Sequence, residues 1–298
     1  IFGFNLLAAQ ASNHFVTTWK TDNPGTSNST SITIPTAVGY TYNYEVDWDN
    51  DGTFDQTGIT GDVTHNFGAA GTYTIRIQGD FPSIHFANFG DKDKILSVDQ
   101  WGTIAWQSMN RSFHGCTNLV VNATDAPDLS AVTSMQSMFQ GATSFNSPVA
   151  GWDVSNVLSM INLFNGASSF NQPLNSWNVS NVIALFAIFK DASSFNQPLS
   201  TWDLSGVASL SLMFSGATSF NQDISGWNVS GATTMANMFN GATSFNQDIS
   251  GWSVGSVTTM SGMFNGASSF DQDLGNWNMA NVTNVSGMFN GVTLSGTN

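Results

Sequence analysis

Residues 245–267 read FNQDISGWSVGSVTTMSGMFNGA, and this stretch decides the fold because close copies of it recur along the chain at one constant interval. Periods of about 20–50 residues are typical of proteins that stack similar units along one axis. Three aromatic positions keep the spacing, and successive copies of each should contact one another in the stack. Their members are Phe139, Phe164, Phe189, Phe214, Phe239, Phe264 and Phe289; Phe145, Phe170, Phe195, Phe220, Phe245 and Phe270; and Trp152, Trp177, Trp202, Trp227, Trp252 and Trp277.

Each unit has two halves with different hydrophobic periods. Ile249, Trp252 and Val254 lie in a short stretch bounded by Gly and Ser, which predicts a strand. The following apolar residues have the i, i+3, i+4, i+7 spacing of one helix face; they are Val257, Met260, Met263, Phe264 and Ala267. The sequence therefore predicts an α/β leucine-rich-repeat-like solenoid, with a short parallel strand and a short helix in each 25-residue unit.

Asparagine follows phenylalanine in most units, and we expect it to be structural. Buried amides need hydrogen-bond partners, so this column should form a ladder that satisfies backbone groups at a bend. Its members are Asn171, Asn196, Asn221 and Asn246, and we assign the tryptophan column a structural role as well.

The next columns are the candidate binding surface. Glutamine comes first, and then proline gives way to aspartate in the last three units. Three stacked carboxylates repel one another unless they are hydrated or share a cation. These residues form either an exposed solvated row or a surface for a polar ligand, and they are Gln222, Gln247, Gln272, Asp223, Asp248 and Asp273.

The segment before residue 81 has a different pattern, in which short strands alternate with turns. Five candidate strands predict a small β-rich sandwich at the N-terminal end of the chain. They are Phe15–Thr21, Ser31–Ile34, Tyr40–Trp48, Val63–Phe67 and Thr72–Ile77.

An aspartate-rich segment of this module is a candidate calcium loop. Asp47, Asp49, Asp51 and Asp55 have the spacing of oxygen ligands, with Gly52 at the sixth position. Gly58 stands where such a loop supplies a bidentate glutamate, so weak calcium affinity is expected. The alternative is a hairpin turn rich in Asp and Gly.

Composition excludes several function classes. The net charge is −14 with only six Lys and Arg residues, which argues against binding nucleic acid or anionic lipid, since both need a basic face. Cys116 is the only cysteine, so the chain can form neither an internal disulfide nor a thiolate metal site. The sequence contains no run of about 20 apolar residues that could span a membrane. The four histidines show no metal-ligand spacing and no nucleophile motif is present, so we expect no enzyme.

The start of the sequence, up to Ala11, is unusual. Ile1 to Ala8 are almost all apolar, and Ala9-Gln10-Ala11 has the form of a signal-peptidase site. We favour the remnant of a secretory signal; the alternative is a retained apolar strand that pairs with something else. Both interpretations indicate export.

Two resemblances follow from these residues. The repeat resembles the 25/26-residue repeat of bacterial surface proteins related to BspA-type leucine-rich repeats, over about residues 70–298. The segment with Val46-Asp47-Trp48-Asp49 and Gly71-Thr72-Tyr73 resembles a polycystic-kidney-disease-type (PKD) module. The implied organisation is a remnant or strand at 1–11, the sandwich at 12–80, a lead-in segment at 81–115 and the solenoid at 116–298.

The resemblance to bacterial surface proteins implies a secreted or cell-surface protein for adhesion, which binds a protein or glycan and carries no catalytic residues. The alternative is an extracellular filament subunit that binds copies of itself. The sequence stops inside a seventh unit, without the polar cap that a stacked repeat requires, so either it is a fragment of a longer chain or the next subunit supplies the cap. The filament hypothesis pairs the apolar N-terminus of one copy with the uncapped end of the next.

Overall fold

The computed structural model describes residues 13–295 of the chain. The predicted signal remnant or apolar strand at residues 1–11 lies outside them. Eight strands form within the described part of the chain. They are β1 (Phe15–Lys20), β2 (Ser31–Ile34), β3 (Asn43–Asp47), β4 (Gln56–Ile59), β5 (Val63–Asn66), β6 (Thr72–Asp80), β7 (Ile95–Gln100) and β8 (Val120–Val121).

The strands form two sheets. A six-stranded sheet has the order β4-β3-β6-β1-β7-β8, and β2 pairs with β5 in a second sheet. Residues two apart share a face of a strand, so Ile75 and Ile77 of β6 are both fully buried, and so are Ile32 and Ile34 of β2. Sequence reasoning missed β4, because its residues Gln56, Thr57 and Gly58 give no apolar signal.

The strand β7 joins the N-terminal module to the repeats. It pairs antiparallel with β1 on one side and parallel with β8 on the other. Residues 95–98, inside the predicted lead-in segment, thus belong to the six-stranded sheet and also pair in parallel with the segment that follows. Residues 86–88 lie against the first unit, where Asn88 N–H donates to the His114 carbonyl (3.0 Å).

The repeats stack in parallel, with equivalent positions of successive units side by side. We call residues 107–292 the repeat stack, and each turn of it a coil. Single parallel β-bridges join equivalent residues of neighbouring coils, as at Ser134 and Ser159 or Thr234 and Thr259. Backbone hydrogen bonds also connect the coils; Gly166 N–H, for example, donates to the Lys190 carbonyl (2.7 Å).

The predicted helix in each unit is wrong, since residues 13–295 contain no helix. An α-helix bonds each N–H to the carbonyl four residues earlier. In the stack, alternate N–H groups point to the next coil: those of Met260, Gly262 and Phe264 donate to carbonyls near residue 286 (2.9 Å each). Gly262 also has φ +62°, and Asn237 at the same position has +55°, outside the right-handed helical region. The apolar spacing correctly indicates which side chains are buried, but the backbone that carries them consists of turns and not of a helix.

The predicted strand of each unit is also misplaced. Residues 246–254 form turns and irregular structure, with no strand. The parallel bridges run instead through positions such as Thr259, inside the predicted helix. The fold is therefore not the α/β solenoid with a strand and a helix per unit.

Aromatic columns fill the core of the stack. Within a coil, the rings of Phe164 and Phe170 stack at 3.9 Å between centroids, and Phe164 lies 5.9 Å from Phe189 of the next coil. Both series are fully buried from Phe139 to Phe270. Each such ring removes about 150–250 Å² from water, so these columns are the main apolar contribution to stability.

No helix in the described part of the chain has the length and apolarity to cross a membrane.

Candidate functional site

The glutamine column is occupied within the stack. Gln222, Gln247 and Gln272 each donate Nε2–H to the side-chain oxygen of an asparagine one coil earlier, at 2.8–2.9 Å. The same asparagine oxygen accepts the backbone N–H of the next coil's residue in the Asn column, at 2.9 Å. The amide groups therefore form a ladder between coils. The Nε2–H groups of these glutamines are directed at the preceding coil.

The aspartate row is exposed and makes turns. The Oδ1 atom of Asp223 accepts the backbone N–H of Ser225 (2.9 Å), and Asp248 and Asp273 accept from the residue two positions ahead in the same way. The side chain and then the backbone N–H of Ser225 lower the pKa of Asp223, and Ser250 does the same for Asp248. Asp223 and Asp248 are therefore ionised at neutral pH and form an anionic edge.

The tryptophan column offers no exposed ring. The six residues Trp152 to Trp277 at 25-residue spacing are at most 6% exposed. From Trp177 onward, each indole N–H donates to a backbone carbonyl of the preceding coil; Trp227, for example, bonds to the Leu199 carbonyl (2.9 Å). Buried indoles need such partners, so this column holds neighbouring coils together.

The aspartate loop between β3 and β4 brings three of its four carboxylates together. One carboxylate oxygen from each of Asp47, Asp49 and Asp55 lies within 4.8 Å of the others. Asp51 is not in this group; its backbone N–H donates to Asp47 (3.2 Å) and Asp49 (3.3 Å). Carboxylate oxygens are the ligands that calcium prefers, so the three acids could hold a cation.

Protein groups already balance part of this charge. Asp47 is fully buried, and Arg76 Nε lies 3.8 Å from its Oδ2. Asp55 Oδ2 accepts the backbone N–H of Trp48 (2.8 Å). Partial desolvation, and then the charges of Asp51, Asp55 and Asp47, raise the pKa of Asp49. The loop is a folded turn with an excess of negative charge at its exposed side.

A surface that sequence reasoning missed lies along the β-bridges. We define the ladder face as residues 133–136, 158–161, 183–186, 208–211, 233–236, 258–261 and 283–286. Most coils place Thr, Ser or Ala at its exposed positions, but two neighbouring coils do not, and the last described coil also exposes Val285 (49%). Leu158 is 43% exposed, Ile183 61% and Phe186 38%, and Ile161 is partly exposed beside them. We call these four residues the apolar patch.

The patch could have been found in the sequence by reading each column for departures from the repeat. At the position of Leu158 and Ile183, the other coils have Thr133, Ala208 and then three threonines. Leu158 and Ile183 are the two large apolar residues in this column.

The coil that carries Phe186 departs from the repeat at two further positions. Asp191 takes a place that is glycine in the neighbouring coils and adopts φ +56°, a conformation uncommon for non-glycine residues. Its carboxylate lies over Gly216 and pairs with Lys190 at 2.7 Å. A charged pair thus follows the apolar patch in the same coil.

Comparison with known proteins gives one family. Residues 107–215 and 198–297 match a family described as a Mycoplasma protein of unknown function, DUF285. No curated protein and no solved structure matches the chain. Since residues 13–295 contain no helix and the matching family is DUF285, the recognition of a BspA-type leucine-rich repeat preceded by a PKD-type module is wrong.

Proposed function

We propose that this chain, which belongs to the DUF285 family of Mycoplasma proteins of unknown function, is a non-enzymatic interaction protein. It acts outside the bacterial cell or at the cell surface and binds a protein or glycan ligand through the repeat stack. The apolar patch on the ladder face is the observation that carries this proposal.

The repeated polar side chains support this proposal because they are used within the stack and leave the apolar patch as the candidate for binding. The Asn, Gln and Trp side chains bond between coils, and the aspartate row makes turns. These groups stabilise a scaffold with an extended surface, the kind of surface that repeat proteins use to bind partners. The apolar patch contributes no such bond, and an exposed apolar patch on a folded protein commonly marks an interaction site.

The surroundings of two histidines, His65 and His85, favour a non-enzymatic role. The His65 ring stacks on Trp48 at 4.4 Å between centroids, and burial lowers its pKa. His85 Nδ1 lies 2.9 Å from the backbone carbonyl oxygen of Asn110. These contacts are those of packed structural side chains, and nothing in them resembles the base–nucleophile pair of a hydrolase.

Export rests on the apolar sequence from Ile1 to Ala11 and on the low content of charged side chains. Treatment of intact producing cells with an external protease tests it. Loss of the protein from intact cells is expected, and its full protection until the cells are lysed would contradict the proposed location.

Binding is tested with the purified full chain on a panel of immobilised extracellular proteins and glycans. Saturable binding to at least one of them is expected. Sedimentation velocity on the same sample tests the filament alternative, since concentration-dependent large species without ligand binding would favour self-assembly. A monomer that binds no member of the panel would count against both.

A further inference from the structure

The apolar patch consists of two pairs of neighbours on adjacent coils. Leu158 and Ile183 are neighbours across two coils, because Ile183 N–H donates to the Leu158 carbonyl (3.0 Å). Ile161 and Phe186 are neighbours in the same register, since Asn162 N–H donates to the Phe186 carbonyl (3.0 Å) and a parallel bridge joins Ser159 to Ala184. Strands paired in this way lie about 4.8 Å apart, so the two side chains of each pair are within contact range of each other.

The stack does not need these apolar residues. At the Ile183 position, Thr233, Thr258 and Thr283 donate their hydroxyls to the carbonyl one coil earlier, each at 3.1 Å. The coils that contain them keep the same backbone register. Leucine and isoleucine at this position give up that hydrogen bond and expose apolar surface. A loss without structural gain is expected where a side chain serves a partner.

Charge indicates what kind of partner fits. The ladder face contains no charged residue, and the sequence beyond residue 111 has nine aspartates, no glutamate and a single lysine or arginine, Lys190. Lys190 is paired with Asp191, so it adds little positive potential. An uncharged apolar surface on an anionic stack complements a segment that combines apolar side chains with basic ones.

Size indicates how large the contact is. The exposed parts of the four side chains amount to on the order of 300 Å², the size of a functional patch on a monomer. A stable dimer buries about 800 Å² on each partner, and two copies with a charge of −14 each repel one another. The patch therefore suits a short segment better than a second copy of the chain.

We propose that Leu158, Ile161, Ile183 and Phe186 form the docking site for a short cationic segment of a partner protein, with the apolar side chains of the segment against Ile183 and Phe186. The inference deepens the proposed function and rests on it, because it names the partner chemistry of the same surface.

The test uses the full chain and a fluorescent synthetic peptide in which leucine alternates with lysine. Its affinity is measured by anisotropy for the wild type and for the double variant Ile183→Thr, Phe186→Ser. Both replacements are residues that other coils carry at these positions, Thr233 and Ser211, so the variant should fold. Ser261→Ala is the matched control, on the ladder face three coils beyond Phe186.

We expect the double variant to bind the leucine–lysine peptide roughly tenfold or more weakly than the wild type, the effect of losing an interface hot spot. Ser261→Ala should bind like the wild type. A serine–lysine peptide of equal charge should bind both forms equally weakly, and salt should weaken the leucine–lysine complex.

Three results would overturn the inference. The first is equal affinity of wild type and double variant for the leucine–lysine peptide. The second is equal binding of a leucine–glutamate peptide, which would remove the charge argument. The third is a wild-type dimer that the double variant converts to a monomer, which would make a second copy the occupant. If the double variant still binds a panel ligand like the wild type, only this inference fails; if the wild type binds no panel ligand, the proposed function itself fails.

Discussion

Single polar side chains fix the geometry of each coil. Asn196 Oδ1 accepts two hydrogen bonds from the next coil, from Asn221 N–H and Gln222 Nε2–H, both at 2.9 Å. Asp153 makes a local bond instead, accepting the N–H of Ser155 (3.0 Å). The first kind of contact joins coils and the second shapes a turn, so their removal should have different effects.

Removal of one ladder amide should destabilise the protein measurably. Asn196→Ala leaves the Asn221 N–H and the Gln222 amide without their acceptor, and a lost partner of a part-buried group costs about 1–3 kcal/mol. Asn196→Asp retains the acceptor oxygen and should cost less; Asp271 occupies the same column in the last full unit. Urea unfolding of the two variants compares the costs, and equal destabilisation would contradict the ladder role.

Turn-forming aspartates should make stability depend on pH in acid. The Ser155 side chain and then its N–H lower the pKa of Asp153, and the Ser205 N–H and then its side chain lower that of Asp203. A carboxylate with a lowered folded-state pKa stabilises fully above its unfolded pKa of about 3.9, and this contribution is lost as pH falls through the folded value. The urea midpoint should therefore fall as the pH drops below about 4.

Asparagine at the same position supplies the matched variant. Asn178 accepts the N–H of Ser180 at 3.2 Å, and Asn228 does the same for Ser230. The double variant Asp153→Asn, Asp203→Asn should keep its stability at neutral pH and lose less of it in acid than the wild type. If the urea midpoints of the two proteins fall equally in acid, these turns do not contribute to the pH dependence of stability.

At the scale of elements, the repeat spacing predicts which side chains meet but not the backbone that brings them together. The series of Phe164 and Phe189 could be placed in contact from the constant period alone. The sequence could not distinguish a helix from a series of turns, because an i, i+3, i+4 apolar pattern describes any segment that buries one face per turn. Inter-coil hydrogen bonds from Met260 and Phe264 compete with the helical bonds, and they exist only once neighbouring units are stacked.

The candidate site divides in the same way. The residue types at Gln247 and Asp248 indicated exposed polar columns, yet the bonds of Gln247 to Asn221 one coil earlier depend on stacking. The apolar patch depends on two neighbouring exceptions, Leu158 and Ile183, which become one surface only when the coils are in register.

The aspartate loop is the element where a cation should act. Desolvation and then the charges of the neighbouring aspartates raise the pKa of Asp49, and bound calcium would offset those charges. We therefore expect the melting temperature to rise with calcium concentration, since a ligand of the native state stabilises by mass action. Asp49→Asn should abolish the shift. Asp22→Asn, an exposed acid paired with Lys20, is the control and should retain it. A melting temperature insensitive to millimolar calcium would leave the loop as a turn without a metal role.

The whole molecule shares one core. The buried cluster runs without a break from Phe15 in β1 to Met288 in the last coil, and β7 pairs with strands on both sides of the junction. Trp101 lies where the two parts meet; its ring is 5.7 Å from Phe15 and 5.4 Å from Trp152 between centroids. A continuous core of this kind should unfold as one unit, although stacked repeats alone depend only on their neighbours.

Trp101→Ala should separate the two parts. Truncation of a fully buried tryptophan costs about 3–5 kcal/mol, and here the loss falls on contacts between the N-terminal module and the stack. We expect a single calorimetric transition for the wild type and two for Trp101→Ala. Trp252→Ala, an equal truncation inside the stack, is the control and should lower stability without separating module from stack. Coupling through the junction requires that only Trp101→Ala shows two transitions. Two transitions already in the wild type, or one transition in each variant, would therefore contradict it.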